Sequence, residues 1–380
     1  MMSARFLTAV LERAFNMRDG FGREIDYMRI SVIDSCNLNC YYCNPQDNNK
    51  NCQAINTLSV KKVLCIVRAA TRLGITHFRL TGGEPLLHPQ IDEMVSQIKK
   101  IPGVRSVSLT TNAVLLAQHA KQLKEAGIDS INVSLDTIDA SEYEHITKKP
   151  LLDKVEHGID AAIECGIRVK INVVLTPQTD VVALTRYASK KGTDIRFIEM
   201  MPVGEGHTNG VEPYKKVIGT LSELYGELYH VNTGKTKEIN SGYNKYKKER
   251  KNPDNGPAEY YIFPELGIRV GLIQAIHGKF CDTCNRIRVT ADGRLMPCLG
   301  SSVTMDLVPD SCEFTDDLEK DFVIVQALKA AIKAKPGCHN FNDNAVTYTK
   351  TTETKTTEIK TTELKAAEVN AARNMSRIGG

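Results

Sequence analysis

The stretch Ser35-Cys36-Asn37-Leu38-Asn39-Cys40-Tyr41-Tyr42-Cys43 places three cysteines at the spacing C-x3-C-x2-C. It directly follows Met28-Arg29-Ile30-Ser31-Val32-Ile33, where aliphatic and polar residues alternate as in a half-buried β-strand. A loop at the C-terminal end of a strand is where α/β folds assemble their sites. Thiolates this close together suit a soft metal or an iron–sulfur cluster. Three of them leave one iron of a four-iron cluster without a protein ligand, open to a small molecule. A zinc knot or three structural thiols is the competing reading of this loop.

Working outward, residues 59–73 carry Val60, Val63, Leu64, Val67, Ala70 and Leu73 on one helical stripe that stops at Gly74. A strand over 77–81 ends at Gly82-Gly83-Glu84-Pro85. The alternation then repeats, with helices predicted over 90–101, 117–126, 140–147, 153–165 and 181–190. Strands are predicted over 104–111, 130–135, 168–175 and 194–200. Six strands alternating with helices predict parallel βαβ units. The expected fold is therefore α/β, an incomplete (βα)6 TIM-like barrel. Asp34, Gly82, Asn112, Asp136 and Met201 all fall just after strands, at the rim where such a barrel carries its site.

From about residue 205 the pattern changes. Residues 235–251 are rich in Lys, Asn and Gly and read as a solvated loop. Strands over 259–263 and 268–273 pair across 264–267, and strands over 286–290 and 294–298 flank the turn Ala291-Asp292-Gly293. A pentapeptide repeat fills 346–370; a five-residue period gives neither helix nor strand a continuous face, so it reads as a spacer. The expected organisation is an N-terminal extension (1–20), the partial barrel (21–204), a small β-containing domain (205–342), the repeat-rich tract (343–374) and a Gly-Gly tail (375–380).

A net charge of +4 over 380 residues gives no case for a nucleic-acid binder, and no apolar run reaches the ~18–20 residues needed to span a bilayer. Eleven cysteines without an export signal point to a reducing compartment. The cytoplasm is expected, or the mitochondrial matrix for a eukaryotic source. Residues 1–17 have helical apolar spacing and read as a short amphipathic helix, with a transit peptide as the alternative. Cys65 and Cys165 belong to helices and read as small hydrophobes, whereas Cys52, Cys312 and Cys338 have no spacing partner. His88 and His339 read as structural.

A second set stands in Phe280-Cys281-Asp282-Thr283-Cys284-Asn285-Arg286-Ile287-Arg288, completed by Cys298 in the spacing C-x2-C-x13-C. His277, four residues before Cys281, leaves a Cys3His zinc site as the alternative. Against zinc, Arg286 and Arg288 place positive charge beside a site with room for a ligand.

The first cysteine loop resembles the signature of the radical S-adenosylmethionine (SAM) superfamily. Two three-cysteine sets, the Gly82-Gly83-Glu84-Pro85 turn and the terminal Gly379-Gly380 together resemble the radical SAM GTP 3′,8-cyclase family of molybdenum cofactor biosynthesis. The resemblance runs from Phe21-Gly22-Arg23 to about residue 300 and resumes at the last six residues; Arg29-Ile30-Ser31-Val32, Asn132-Val133-Ser134-Leu135-Asp136 and Arg196-Phe197-Ile198-Glu199 also carry it. It implies two 4Fe-4S clusters, held by Cys36, Cys40 and Cys43 and by Cys281, Cys284 and Cys298. Tyr42, Gly82, Gly83, Glu84, Ser134 and Met201 would bind SAM. Arg29, Arg79, Thr110, Lys170, Arg286, Ile287 and Arg288 would bind GTP, with Arg29, Lys170 and Arg196 in catalytic roles. A radical derived from SAM would take hydrogen from C3′ of the ribose, and C3′ would close on C8 of the guanine. The product would pass to a cyclic pyranopterin monophosphate synthase, with an electron donor upstream and a homodimer as one option. The tail, accompanied by Arg377, would reach the site. Ala113 departs from the family's usual glycine, and the repeat tract is not family-like. Another radical SAM enzyme with an auxiliary cluster, or a metal-binding protein without turnover, are the alternatives.

Overall fold

A computed structural model of the chain describes residues 17–43, 55–202, 211–226, 228–231, 256–301, 304–307, 318–339 and 341. The N-terminal helix, the loop at 235–251, Cys52, Cys312, the repeat tract and the Gly-Gly tail with Arg377 lie outside the described residues.

Six βα units form as the periodicity predicts: β1 (Tyr27–Ile33), α1 (Val60–Thr71), β2 (His77–Gly82), α2 (Ile91–Lys99), β3 (Ser106–Thr111), α3 (Leu116–Glu125), β4 (Ser130–Ser134), α4 (Ala140–Thr147), α5 (Leu152–Glu164), β5 (Val169–Val174), α6 (Val181–Lys190) and β6 (Asp194–Ile198). Side-chain oxygens start several helices. Ser59 accepts from the Lys62 amide, Asp139 from Glu142 and Asp180 from Ala183, each satisfying a backbone donor that the first turn leaves open.

The β1–β6 strands pair in parallel and in order. One face of each strand is apolar: Met28, Ile30 and Val32, Phe78 and Leu80, Val107 and Leu109, Ile131 and Val133, Ile171 and Val173, Ile195 and Phe197 are all fully buried. With Val63, Ile66, Met94, Ile98, Leu123, Ile159 and Leu184 from the helices they make one continuous core. Each such side chain contributes about 1.5–3 kcal/mol of transfer free energy. The core therefore lies between sheet and helices.

The C-terminal half continues this same sheet. Past a π-helical turn (Tyr214–Gly219) and α7 (Thr220–Tyr225) come β7 (Tyr229–Val231), β8 (Glu259–Ile262), β9 (Arg269–Ile273), β10 (Arg286–Val289), β11 (Arg294–Met296), β12 (Met305–Asp306) and α8 (Leu318–Lys333). β9 joins β6 in parallel, and β8 and β7 follow it antiparallel, as the 259–273 hairpin predicts. On the opposite margin β10 joins β1 in parallel, and β11 and β12 follow. The strand order β12-β11-β10-β1-β2-β3-β4-β5-β6-β9-β8-β7 thus sets the second cysteine set beside β1, at the end of that strand opposite the first set. α8 packs on α1 behind that edge.

A candidate active site in the barrel

The face of the sheet opposite the apolar core is polar on every strand of the partial barrel. It carries Tyr27, Arg29 and Ser31; Arg79 and Thr81; Ser108 and Thr110; Asn132 and Ser134; Lys170 and Asn172; and Asp194 and Arg196. A parallel sheet covered on both sides ordinarily reads as continuous aliphatic runs. This inner face is built to hold something polar.

Strand register sorts these groups into rows. Arg29 stands opposite Arg288 on one side and Arg79 on the other, and Arg79 stands opposite Ser108. Thr110, Asn132, Lys170 and Asp194 make a second row. Ser134, Asn172, Arg196 and Gly271 make a third. Neighbours in a row are only about 4.8 Å apart at the backbone. Arg79, Asn132, Lys170, Arg196 and Arg288 are nevertheless buried.

Cations crowded away from water resist their charge. Burial, then the neighbouring Arg288, pulls the Arg29 guanidinium well below its ordinary range. Burial, then Arg286, brings Arg288 down to about 10. Lys170, fully buried beside Arg196 and Arg168, falls to about 5, so its amine is neutral at pH 7. Asp194 is the carboxylate of this row, and Arg269 takes it through Nε at 3.1 Å and Nη2 at 2.5 Å. Buried Arg79 Nε, Thr110 Oγ1 and Asn132 Oδ1 have no hydrogen-bond partner among the described residues. Orphaned donors and acceptors beside crowded cationic side chains fit a polyanion with polar substituents.

The first cysteine loop is fastened to the glycine turn after β2. The Gly83 amide donates to Ile33 O and the Glu84 amide to Ser35 O, both at 2.8 Å. A Cβ on Gly82 would lie 2.2 Å from Ile33 O, and one on Gly83 would lie 2.1 Å from Ser35 O. A bare backbone at this turn is thus required by the chain's own packing. Glu84, buried, accepts from the Leu86 amide (3.0 Å), the Thr111 hydroxyl (2.6 Å) and the Asn112 amide (2.7 Å). Burial pushes its carboxyl up to about 7. Asn112 then reaches Asn37 Oδ1 at 2.7 Å and Cys36 Sγ at 3.8 Å. Tyr42 donates to Asp136 Oδ2 at 2.5 Å, while Asp136 Oδ1 accepts from the Val174 amide. Burial raises the Cys36 thiol to about 11 and the Cys40 thiol above its ordinary value. A bound metal reverses that preference, because a coordinating thiol is deprotonated outright. Three soft donors on one fixed loop fit an iron–sulfur cluster.

In the second set, Cys281 and Cys284 bracket a 3-10 turn, and Cys298 follows β11. Burial alone would raise the Cys284 thiol, but Arg286 and Lys335 overcome it and hold it below the ordinary range. Buried Arg23 donates to Cys281 O (2.7 Å), Gly337 O (3.0 Å) and Pro336 O (2.6 Å), and pairs with Asp19 at 2.6 Å. Among the described residues, no three His, Cys, Asp or Glu side chains are drawn into a finished metal shell.

Other sequence-predicted residues are placed as follows. Ser134 is exposed at the end of β4, and Met201 packs beside Met296 and Phe341. Ile287 is fully buried in the apolar core, on the face of β10 opposite Arg286 and Arg288, so only its backbone is on offer to the barrel interior. His277 pairs through Nδ1 with Glu199, whose carboxylate also accepts the Ile276 and His277 amides. His88 is buried and bridges Leu58 O and the Gln90 amide, a structural role as expected. Sequence reasoning placed Asn112 at the rim but missed Arg23, Asn132 and Asn172 as site-building residues. For the two strand asparagines the period-two alternation held the signal.

The family described as the Radical SAM superfamily matches residues 30–184, and that described as Molybdenum Cofactor Synthesis C matches residues 193–341. A GTP 3′,8-cyclase of Clostridium perfringens (strain SM101 / Type A) is 35% identical over 330 residues, 86% of this chain and 95% of that protein. One from Thermodesulfovibrio yellowstonii is 38% identical over 296 residues, 77% of this chain and 87% of that one. Among solved structures, Streptococcus suis SuiB bound to precursor peptide SuiA superposes with a TM-score of 0.54 at 16% identity, covering 86% of this chain and 70% of that one. That likeness shows the fold. Among the described residues, no helix is long and apolar enough to cross a membrane.

Proposed function

From a chain that belongs to the GTP 3′,8-cyclase family of radical SAM enzymes, we infer a catalyst that cyclises GTP in the first step of molybdenum cofactor biosynthesis. The observation that carries this reading is the inner polar face. Arg288, Arg29 and Arg79 stand abreast on three adjacent strands with buried Lys170 across the sheet. A triphosphate matches this concentration of positive groups, and guanidinium forks pair its oxygens bidentately.

Cys36, Cys40 and Cys43 would hold one 4Fe-4S cluster and Cys281, Cys284 and Cys298 a second; the first, with SAM, supplies a carbon radical when bound. The chain's own residues do the rest. Glu84 and Asn112 brace the first loop, and Tyr42 locks it to Asp136 at the rim. Ser134, at the end of β4, and Met201, just beyond β6, would contact SAM. Arg29, Arg79, Thr110 and Arg288 hold the phosphates and ribose between the two loops. Lys170 takes up a proton as the polyanion arrives, and Arg196, steered by Asn172 at 2.9 Å, closes the far side. Arg286, with the backbone of Ile287, orients the base toward the second set. Positioning and exclusion of water are the protein's share of the catalysis.

The product passes to the cyclic pyranopterin monophosphate synthase, and a cellular electron donor feeds the first cluster; cytoplasmic location and a homodimer belong to the same proposal. Anaerobically reconstituted protein given SAM, dithionite and GTP tests the reading. 5′-Deoxyadenosine formation that depends on GTP, with the 3′,8-cyclised nucleotide as co-product, is expected. Bound zinc with no visible absorption overturns it.

A further inference from the structure

The turn after α8 brings a fourth thiol to the second cysteine set. One nitrogen of buried Arg23 donates both to Cys281 O and to Gly337 O, so the residue preceding Cys338 is fixed against the backbone of Cys281. Lys335 Nζ donates to Arg286 O at 2.8 Å and Pro297 O at 2.9 Å, tying the same turn to the segments that carry Cys284 and Cys298. Cys338, His339 and Cys298 are all near enough to the Cys281 thiol to act on it electrostatically. Cys338 Sγ lies 3.4 Å from its neighbour's carbonyl and is exposed. By contrast, Cys65 is buried in α1 and Cys165 sits at the end of α5.

We propose that Cys338 is a fourth thiolate donor to the second iron–sulfur centre, competing with substrate for the iron that Cys281, Cys284 and Cys298 leave open. This rests on the two-centre reading above. The three set members are anchored on a 3-10 turn and at a strand end, whereas Cys338 rides on an exposed turn and can leave without disturbing the sheet. A donor tethered by so short a chain acts at about millimolar effective concentration. Substrate binding is then an exchange: the iron–sulfur bond to Cys338 breaks, the thiolate takes a proton, and a donor atom of the purine forms the new bond to iron. No electron changes hands. The cysteine thereby protects the centre between turnovers at a cost in substrate affinity.

The test uses full-length protein carrying Cys36→Ala, Cys40→Ala and Cys43→Ala, so that only the second centre can assemble, with and without Cys338→Ser or Cys338→Ala. Iron and sulfide content, the electron paramagnetic resonance spectrum of the reduced centre and GTP affinity by calorimetry are read for each. Both Cys338 variants are expected to keep their iron, to alter the spectrum without GTP, and to bind GTP at least threefold tighter. Saturating GTP is expected to make the spectra converge. Superimposable spectra with equal affinity overturn the assignment while leaving the second centre standing. A Cys281–Cys338 disulfide in iron-loaded protein also overturns it. A background that holds no iron removes the two-centre reading, and the assignment with it.

Discussion

Arg29 on β1 and Arg288 on β10 stand in register on adjacent parallel strands, two guanidiniums side by side on the inner face of the barrel. Such a pair costs the substrate-free fold and repays it when an anion arrives. Arg29→Gln is therefore expected to leave the melting temperature of substrate-free protein unchanged or raised, and to weaken GTP binding about 10- to 100-fold, the loss of one charge-assisted contact. Thermal scans and calorimetry on one preparation check both halves.

Lys170 gives a pH signature. Its amine ordinarily titrates at 10.5 and in the fold at about 5, so between those values the unfolded chain holds a proton that the native state does not. Stability from this group is complete above 10.5 and is lost as pH falls toward 5. Lys170→Met is expected to melt a few degrees higher than wild type at pH 7. The gap should widen from pH 9 to pH 6. GTP binding to wild type at pH 7 should take up a proton, seen as a dependence of calorimetric enthalpy on buffer, and the variant should lose that uptake.

Gly83→Ala drives a methyl group to 2.1 Å from Ser35 O, where backbone and not a flexible side chain must yield. A cost of about 3 kcal/mol or more is expected. Iron held by Cys36, Cys40 and Cys43 should fall by more than half while the circular dichroism of the helices persists. Metal analysis beside a denaturant melt separates the two effects.

Ala113 is buried and adopts a φ of 64°, the left-handed region that glycine occupies without cost. Its amide bonds Thr111 Oγ1 at 2.9 Å, and its carbonyl faces Gly158 of α5 so closely that a Cβ there would approach to 2.4 Å. The surroundings hold the turn despite the methyl group. Ala113→Gly relieves about 1–2 kcal/mol of strain and returns part of it as unfolded-chain entropy, for a net gain of up to about 1 kcal/mol. Equal or lower stability in urea melts would contradict this.

The partial barrel was legible because each strand alternates strictly and each helix carries one stripe; boundaries moved by only a residue or two. The cysteine sets and the arginines were legible through spacing and resemblance. Ile287 entered the substrate set by resemblance; its side chain faces the apolar core, which leaves only its backbone for that role. Arg23 entered only as part of the stretch carrying the resemblance, and its anchoring role was hidden because its partners at Cys281, Pro336 and Gly337 come far later in the chain. α8 was missed because Phe322, Val323, Ile324 and Val325 form an apolar run without helical period. That β9 and β10 would continue the barrel sheet was invisible for the same reason: only tertiary pairing decides which edge a strand joins.

That joining has a consequence for synthesis. Until residues 269–289 leave the ribosome, β1 and β6 each present a full row of unsatisfied amides and carbonyls, flanked by the apolar side chains of the core. Exposed margins of this kind template pairing between chains. The nascent first half is thus a sticky intermediate, and the strands that later cover it act as its own intramolecular chaperone.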